Sequence, residues 1–107
     1  MTVDLHMLET MQRARRETVR WLLLVTLNVT RPESASITLI KPVLMASYSD
    51  ITDAEIKREL CYLQDRELVR IERDPLGTWN SSITRHGVDI VEYTIPVEPG
   101  ISRPRKD

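Results

Sequence analysis

The chain has no phenylalanine, one cysteine and three glycines among its 107 residues, and each shortage closes off a class of protein. Without Phe, and with aromatics at only 5%, the core must be built from Leu, Ile, Val and Met. A single thiol, Cys61, forbids an intrachain disulfide, which fits a reducing compartment and leads us to expect a cytoplasmic protein. Three glycines are too few for a phosphate-cradling loop. An excess of one charge sign is also missing: the formal net charge is −1, so attraction to nucleic acid or anionic lipid must come from local clustering. The longest apolar stretch, Val19 to Val29, falls short of the roughly 20 residues of a membrane span. The polar, partly acidic lead before it is unlike a signal peptide, so no membrane association is expected. His6 and His86 are far apart, and no Ser or Cys stands at a recognisable nucleophile elbow. We therefore expect neither an enzyme nor a bound metal or cofactor.

What is present is an ordinary globular composition, with 41% apolar and 29% charged residues in a chain of single-domain size. From Asp4 to Asn28 there is no Pro or Gly, which predicts a long first helix within a unit spanning residues 1–30. Its second half, Trp21-Leu22-Leu23-Leu24-Val25, is apolar nearly all round and requires neighbours on several sides. Arg31-Pro32 ends it.

A core over residues 31–93 follows. Ser34 or Ser36 can cap a second helix whose buried stripe is Ile37, Ile40, Val43 and Leu44. Pro42 implies that this helix either starts late or kinks. Thr52-Asp53-Ala54-Glu55 is a capping box, and Ile56, Leu60 and Leu63 then mark one face of a third helix. After it the apolar period changes from 3.6 to 2. Residues 69–83 read as a hairpin, reversed at Asp74-Pro75-Leu76-Gly77. Thr84 can cap a short last helix carrying Val88 and Val91. Pro96, Pro99 and Pro104 keep the tail, residues 94–107, extended and largely unfolded on its own. Three helices, a hairpin and a short helix make a mainly α fold with a small β-hairpin wing. That is the winged helix-turn-helix order, here with a long N-terminal helix.

In such an order the third helix enters a DNA groove while the wing and first helix touch phosphates. With Ile56, Leu60 and Leu63 inward, the opposite face carries Lys57, Arg58 and Tyr62, which have the donors for guanine edges or phosphates. Asp53, Glu55 and Asp65 on the same helix oppose this, and residues 51–66 sum to −1. Arg70 and Arg73 are expected to point outward together from the first wing strand, with Arg85 and His86 completing a phosphate-contacting patch. Arg13, Arg15, Arg16 and Arg20 crowd the first helix, where they can flank DNA or line an interface. Charge runs on helices are most often solvated, which we expect of at least two of the four. Met7, Met11 and Trp21 suit core packing or the contact of a homodimer.

Two short passages carry a resemblance. Leu60-Cys61-Tyr62-Leu63-Gln64-Asp65-Arg66-Glu67-Leu68-Val69 and Ile83-Thr84-Arg85-His86-Gly87 resemble the "L-x-x-L-x-x-x-x-L-V" and "L-T-x-x-G" passages that flank the wing in winged-helix regulators. With the tail Ile95-Pro96-Val97-Glu98-Pro99-Gly100-Ile101-Ser102-Arg103-Pro104, the chain looks like the small winged-helix, ArsR/MarR-like proteins of Mu-like phages and prophages. The resemblance implies a phage-derived protein with a nucleic-acid-binding fold and supplies no ligand, since fold does not fix function. Our first expectation is a dimeric protein that binds double-stranded DNA and regulates transcription. The alternative is a protein-interaction module in phage morphogenesis or DNA packaging, partnered by another phage protein. Glu59-Leu60-Cys61 resembles the "E-L-C-x-C" of metal-sensing ArsR repressors. Leu63 replaces the second cysteine, however, and one thiolate does not hold a soft metal against competition.

Overall fold

A computed structural model describes residues 4–106; residues 1–3 of the expected first unit and residue 107 of the tail lie outside it. The element order is α1 (Leu5–Val29), β1 (Ala35–Ser36), α2 (Ile37–Met45), α3 (Asp53–Asp65), β2 (Val69–Arg73), β3 (Trp79–Ile83) and α4 (Arg85–Val91). Among the described residues there are thus four helices and a small three-stranded antiparallel sheet of order β1-β3-β2.

α1 is the central strut. Asp4 caps it by accepting from the His6 N–H at 2.9 Å. Its inner half places Val19, Leu23, Leu24 and Leu27 at full burial, against α2, α3, α4 and β3. This is the all-round environment that an apolar helical run needs. Residues 4–14, by contrast, are all exposed, so the outer half projects as an arm.

α2 is capped by Ser36, whose Oγ accepts from the Leu39 N–H at 3.3 Å. It starts at Ile37 in spite of Pro42, which stands at its sixth position. The bond that Pro42 forgoes belongs to the carbonyl of Thr38, and both residues are on the exposed side where water substitutes. Ile37, Ile40 and Leu44 are buried as expected, but Val43 is 52% exposed because it lies on the flank of that stripe. The strand β1 was not expected: two residues are too few to show a period of two. Ala35 pairs with Ser81 and Ser36 with Asn80, so β1 covers the outer edge of β3.

In α3, Thr52 Oγ1 accepts from the Glu55 N–H at 3.2 Å, which is half of the expected capping box. The other half does not form, because the Glu55 carboxylate accepts from Arg15 instead. Both α3 and α4 end in a Schellman turn without glycine. After α3, Glu67 takes φ +62°, and Leu68 N–H donates to the Leu63 carbonyl at 3.0 Å. After α4, Tyr93 takes φ +61°, and Thr94 N–H donates to the Asp89 carbonyl at 2.9 Å. The hairpin turn does use glycine: Gly77 has φ +82° and donates to the Asp74 carbonyl at 2.9 Å. Asp74 Oδ1 also accepts from the N–H groups of Leu76 and Thr78 at 2.9 Å each, which ties the turn to itself.

Over its described residues, 94–106, the tail forms no helix or strand, but it is not loose. Ser102 N–H donates to the Glu17 carbonyl at 3.1 Å, Ile101 is buried, and Arg103 donates to the carbonyls of Ile90 and Ile95 at 3.0 and 2.9 Å. Tyr93 donates from its hydroxyl to the Pro104 carbonyl at 2.6 Å. Prolines rule out regular structure for the tail on its own. They do not prevent it from docking where a helix side offers donors and acceptors.

Candidate nucleic-acid interface

The charges of α3 are sorted by its neighbours. Arg15 holds Glu55 in a two-pronged pair, with Nε and Nη2 each at 2.8 Å, and reaches Asp50 at 3.0 Å. Hydrogen bonding to Arg15 lowers the pKa of the Asp50 carboxyl, while Glu55 foremost and Asp50 raise that of the Arg15 guanidinium. Lys41 of α2 holds Asp53 at 3.0 Å. Glu59, only 1% exposed, is held by Arg20 at 2.8 Å and by Arg58 at 3.1 Å. Among the described residues, Asp65 is the one α3 carboxylate without an ion pair. The acidic appearance of this helix in sequence is thus largely neutralised by α1 and α2.

On the other side of α3 stands the wing. Trp79, half-buried at the start of β3, has Arg73 over its ring at 4.5 Å and Lys57 Nζ at 5.2 Å. One residue comes from the wing and the other from α3, so the indole brings the two elements into one basic surface. Among the described residues, Lys57, Arg70 and Arg73 take part in no ion pair.

The remaining expected contacts divide. Arg70 and Arg73 do not point outward together. Three positions apart in a strand means opposite faces: Arg70 pairs across from Ser82, beside Glu72, and Arg73 across from Trp79. Arg58 is 63% exposed, with its Nε engaged by Glu59. Tyr62 is half-buried. Its ring lies between the guanidinium groups of Arg20 and Arg66, at 3.4 and 3.7 Å, and its hydroxyl sits over Gly100 of the tail. Arg85 pairs with Asp89 at 3.4 Å, and Arg85 and His86, both exposed, follow the base of the hairpin. Four strand steps, about 13 Å, separate that base from Trp79. Lys57 and Arg73 are therefore gathered, Arg70 lies on the opposite face of the wing, and Arg85 and His86 stand apart.

Of the expected dimer contacts, Met7 and Met11 are 58% and 61% exposed on the arm. Trp21 is turned inward instead, edge-on to Tyr93 of its own chain at 6.3 Å. The reason is the docked tail and the turn after α4, which cover that side of α1. Sequence reasoning met Glu59 only in a metal-site comparison and missed its burial and its pairing with Arg20. Its one signal is position: three residues after Ile56, on the flank of the apolar face.

Among the described residues no group of three His, Cys, Asp or Glu side chains is placed to hold a metal ion, and no helix is long and apolar enough to cross a membrane. No family model, curated protein or solved structure matches the chain.

Proposed function

We propose that the protein is a winged-helix DNA-binding protein, with α3 as the groove-reading helix and the β2–β3 hairpin as the wing. The helix–strand–helix–helix–hairpin order and the β1-β3-β2 sheet are compatible with that fold. One observation carries the binding role: Lys57 of α3 and Arg73 of the wing share the Trp79 ring, while the α3 carboxylates Asp53, Glu55 and Glu59 are held by cations. A chain of net charge −1 thereby presents a local basic face to a phosphate backbone. In this reading the binding serves the regulation of phage genes, by a cytoplasmic protein that acts by binding rather than catalysis, and the resemblance to proteins of Mu-like phages is what suggests the phage setting.

The test is binding to mixed-sequence duplex DNA as salt is raised. Each phosphate that a cation neutralises contributes roughly 0.9 to the slope of log K against log salt, so replacing Lys57 and Arg73 by Ala should make that slope shallower by about 1.8. Absence of binding by the wild-type protein at low salt would overturn the reading. A protein-interaction role in phage assembly would then stand first. The observation favouring it is an apolar groove of about 220 Å³ between the end of α1 and α2, lined by Val25, Val29, Leu39 and Val43.

A further inference from the structure

α1 has a second apolar face, opposite the one that packs into the core. Core packing uses Val19, Leu23, Leu24 and Leu27. At about 100° per residue, Met7, Met11 and Ala14 of the arm fall on the same narrow arc as Thr18, Leu22, Val25 and Val29 of the inner half. None of these is buried: Met7, Met11 and Val29 are 58%, 61% and 78% exposed, and Leu22 and Val25 are half-buried. None of the four arginines and two glutamates of the helix falls on this arc. A helix on the surface of a domain needs one apolar stripe, and its outer face is ordinarily polar. α2 widens the strip at one end, where Leu39 and Val43 join Val25 and Val29 around the groove of about 220 Å³. At the other end Tyr48 borders an apolar depression of about 440 Å³ with Leu8, Met11 and Ala14. Of the nine large apolar side chains exposed among the described residues, six border this strip, so they form a patch rather than a scatter.

The strip is a palindrome centred on Thr18. Its spacing runs 4, 3 and 4 from Met7 to Thr18, and 4, 3 and 4 again from Thr18 to Val29. An eleven-residue period is close to that of a straight α-helix, so the strip runs along α1 without winding round it, over about 33 Å. A two-fold axis through Thr18 lays two such helices antiparallel. Met7 of each copy then meets Val29 of the other, Met11 meets Val25, and Ala14 meets Leu22, small against large. The exposed arm of one copy, which nothing in its own chain covers, lies along the α1–α2 groove of the other. A partner of different sequence needs no such symmetry, whereas a two-fold contact between copies requires the surface to be self-complementary. The six exposed side chains, at on the order of 100 Å² each, bring the patch near the roughly 800 Å² that one side of a standard interface buries.

We propose that this strip, with Leu39 and Val43 of α2, seats a second copy of the chain, the two α1 helices packing antiparallel about Thr18 and each arm filling the other copy's α1–α2 groove. Trp21 has no part in this contact, because Tyr93 of its own chain stands against it. α2, which composition and period alone place only in the core, supplies part of the face. The arrangement is independent of DNA binding and holds whether or not α3 enters a groove. It also supplies the third side that the apolar run Trp21–Val25 requires, after the core and the tail.

The experiment is sedimentation equilibrium of the full chain over a concentration series, for the wild type, M11E, L39E and T10E, with circular dichroism confirming equal helicity. The wild type should sediment at twice the 12.4 kDa of the chain. M11E and L39E alter side chains that are exposed in the single copy, so the fold is not at stake. Each places two carboxylates in the apolar contact of a dimer and should raise its dissociation constant by at least about a hundredfold. Thr10 is exposed and next to Met11 but off the strip, so T10E should dimerise as the wild type does. The register is read by spin labels on E9C in a C61A background. Pairing about Thr18 sets the two labels about 27 Å apart along the helix axis, whereas parallel helices would bring them side by side. A monomeric wild type would overturn the proposal and point to a different protein as the occupant. A dimer indifferent to M11E and L39E would overturn the face, and labels side by side would overturn the antiparallel pairing.

Discussion

The inner face of α1 and the surface formed by the wing and the arm contain the same residue types and use them in opposite ways. On the inner face, Arg15 and Arg20 are enclosed by carboxylates, an aromatic ring and a backbone carbonyl: Arg20 touches Glu59, lies over Tyr62 and donates to the Gly100 carbonyl at 2.8 Å. On the outer surface, Lys57, Arg70, Arg73, Arg13 and Arg16 have no carboxylate partner among the described residues. Arginine on the inner face clamps α3 and the tail to α1. Arginine outside is left for a ligand.

The comparison is broken most severely at Glu59. Replacing Arg20 by Met leaves a carboxylate that is 1% exposed with only Arg58 beside it and releases the Gly100 carbonyl. Removing one partner of a buried pair costs about 3–5 kcal/mol, so urea denaturation should show a large fall in midpoint. A change below about 1 kcal/mol would show that the clamp is ornamental. Next comes Gly100→Ala, at φ +101°, where a Cβ would fall on the Tyr62 hydroxyl. Overpacking and a left-handed backbone together should cost about 1–3 kcal/mol. The cost should be smaller in Y62F/G100A than in G100A alone, because the second substitution removes the obstructing oxygen.

Glu67 sharpens the comparison from the other direction, since it stands at the joint between α3 and the wing. It occupies a left-handed position that glycine adopts freely, at φ +62°. Glu67→Gly should therefore stabilise the fold by up to about 1 kcal/mol in the same denaturation assay. The outer surface should register less there. R13A/R16A is expected within about 0.5 kcal/mol of wild type, whereas K57A/R73A, which strips two cations from the Trp79 ring, should cost about 1 kcal/mol. The smallest effect concerns acid. Asp50 has a lowered pKa in the folded state through Arg15, so its contribution is present at neutral pH. It is lost as pH falls from its ordinary value of 3.8 through the lower folded one. Asp50→Asn should remove this slight part of the acid sensitivity and leave stability near neutral pH almost unchanged, as expected for an exposed pair.

Much of the architecture was legible from local chemistry. An uninterrupted run free of Pro and Gly announced α1, Thr52 and Thr84 marked the starts of α3 and α4, and Asp74-Pro75-Leu76-Gly77 marked the hairpin turn. Each of these depends on residues within a few positions of one another, where spacing along the chain is spacing in space. The aliphatic core followed in the same way, from the period of Ile56, Leu60 and Leu63. The shared face of Arg70 and Arg73 was misjudged within the strand itself, where a separation of three changes sides.

The site is another matter. Arg15 and Glu55 are 40 residues apart, Arg20 and Glu59 are 39, and Arg20 and the Gly100 carbonyl are 80. Neither the periodicity nor the composition of a single segment tells which arginine meets a carboxylate, because that depends on how α1 crosses α3 and where the tail returns. The sequence alone determined the helices, the turn and the aliphatic interior, since propensity, capping and apolar period act over a few residues. Only the tertiary structure decided which charges are cancelled and which remain open, because pairing falls off over a few ångströms and those distances are set by packing between distant parts of the chain.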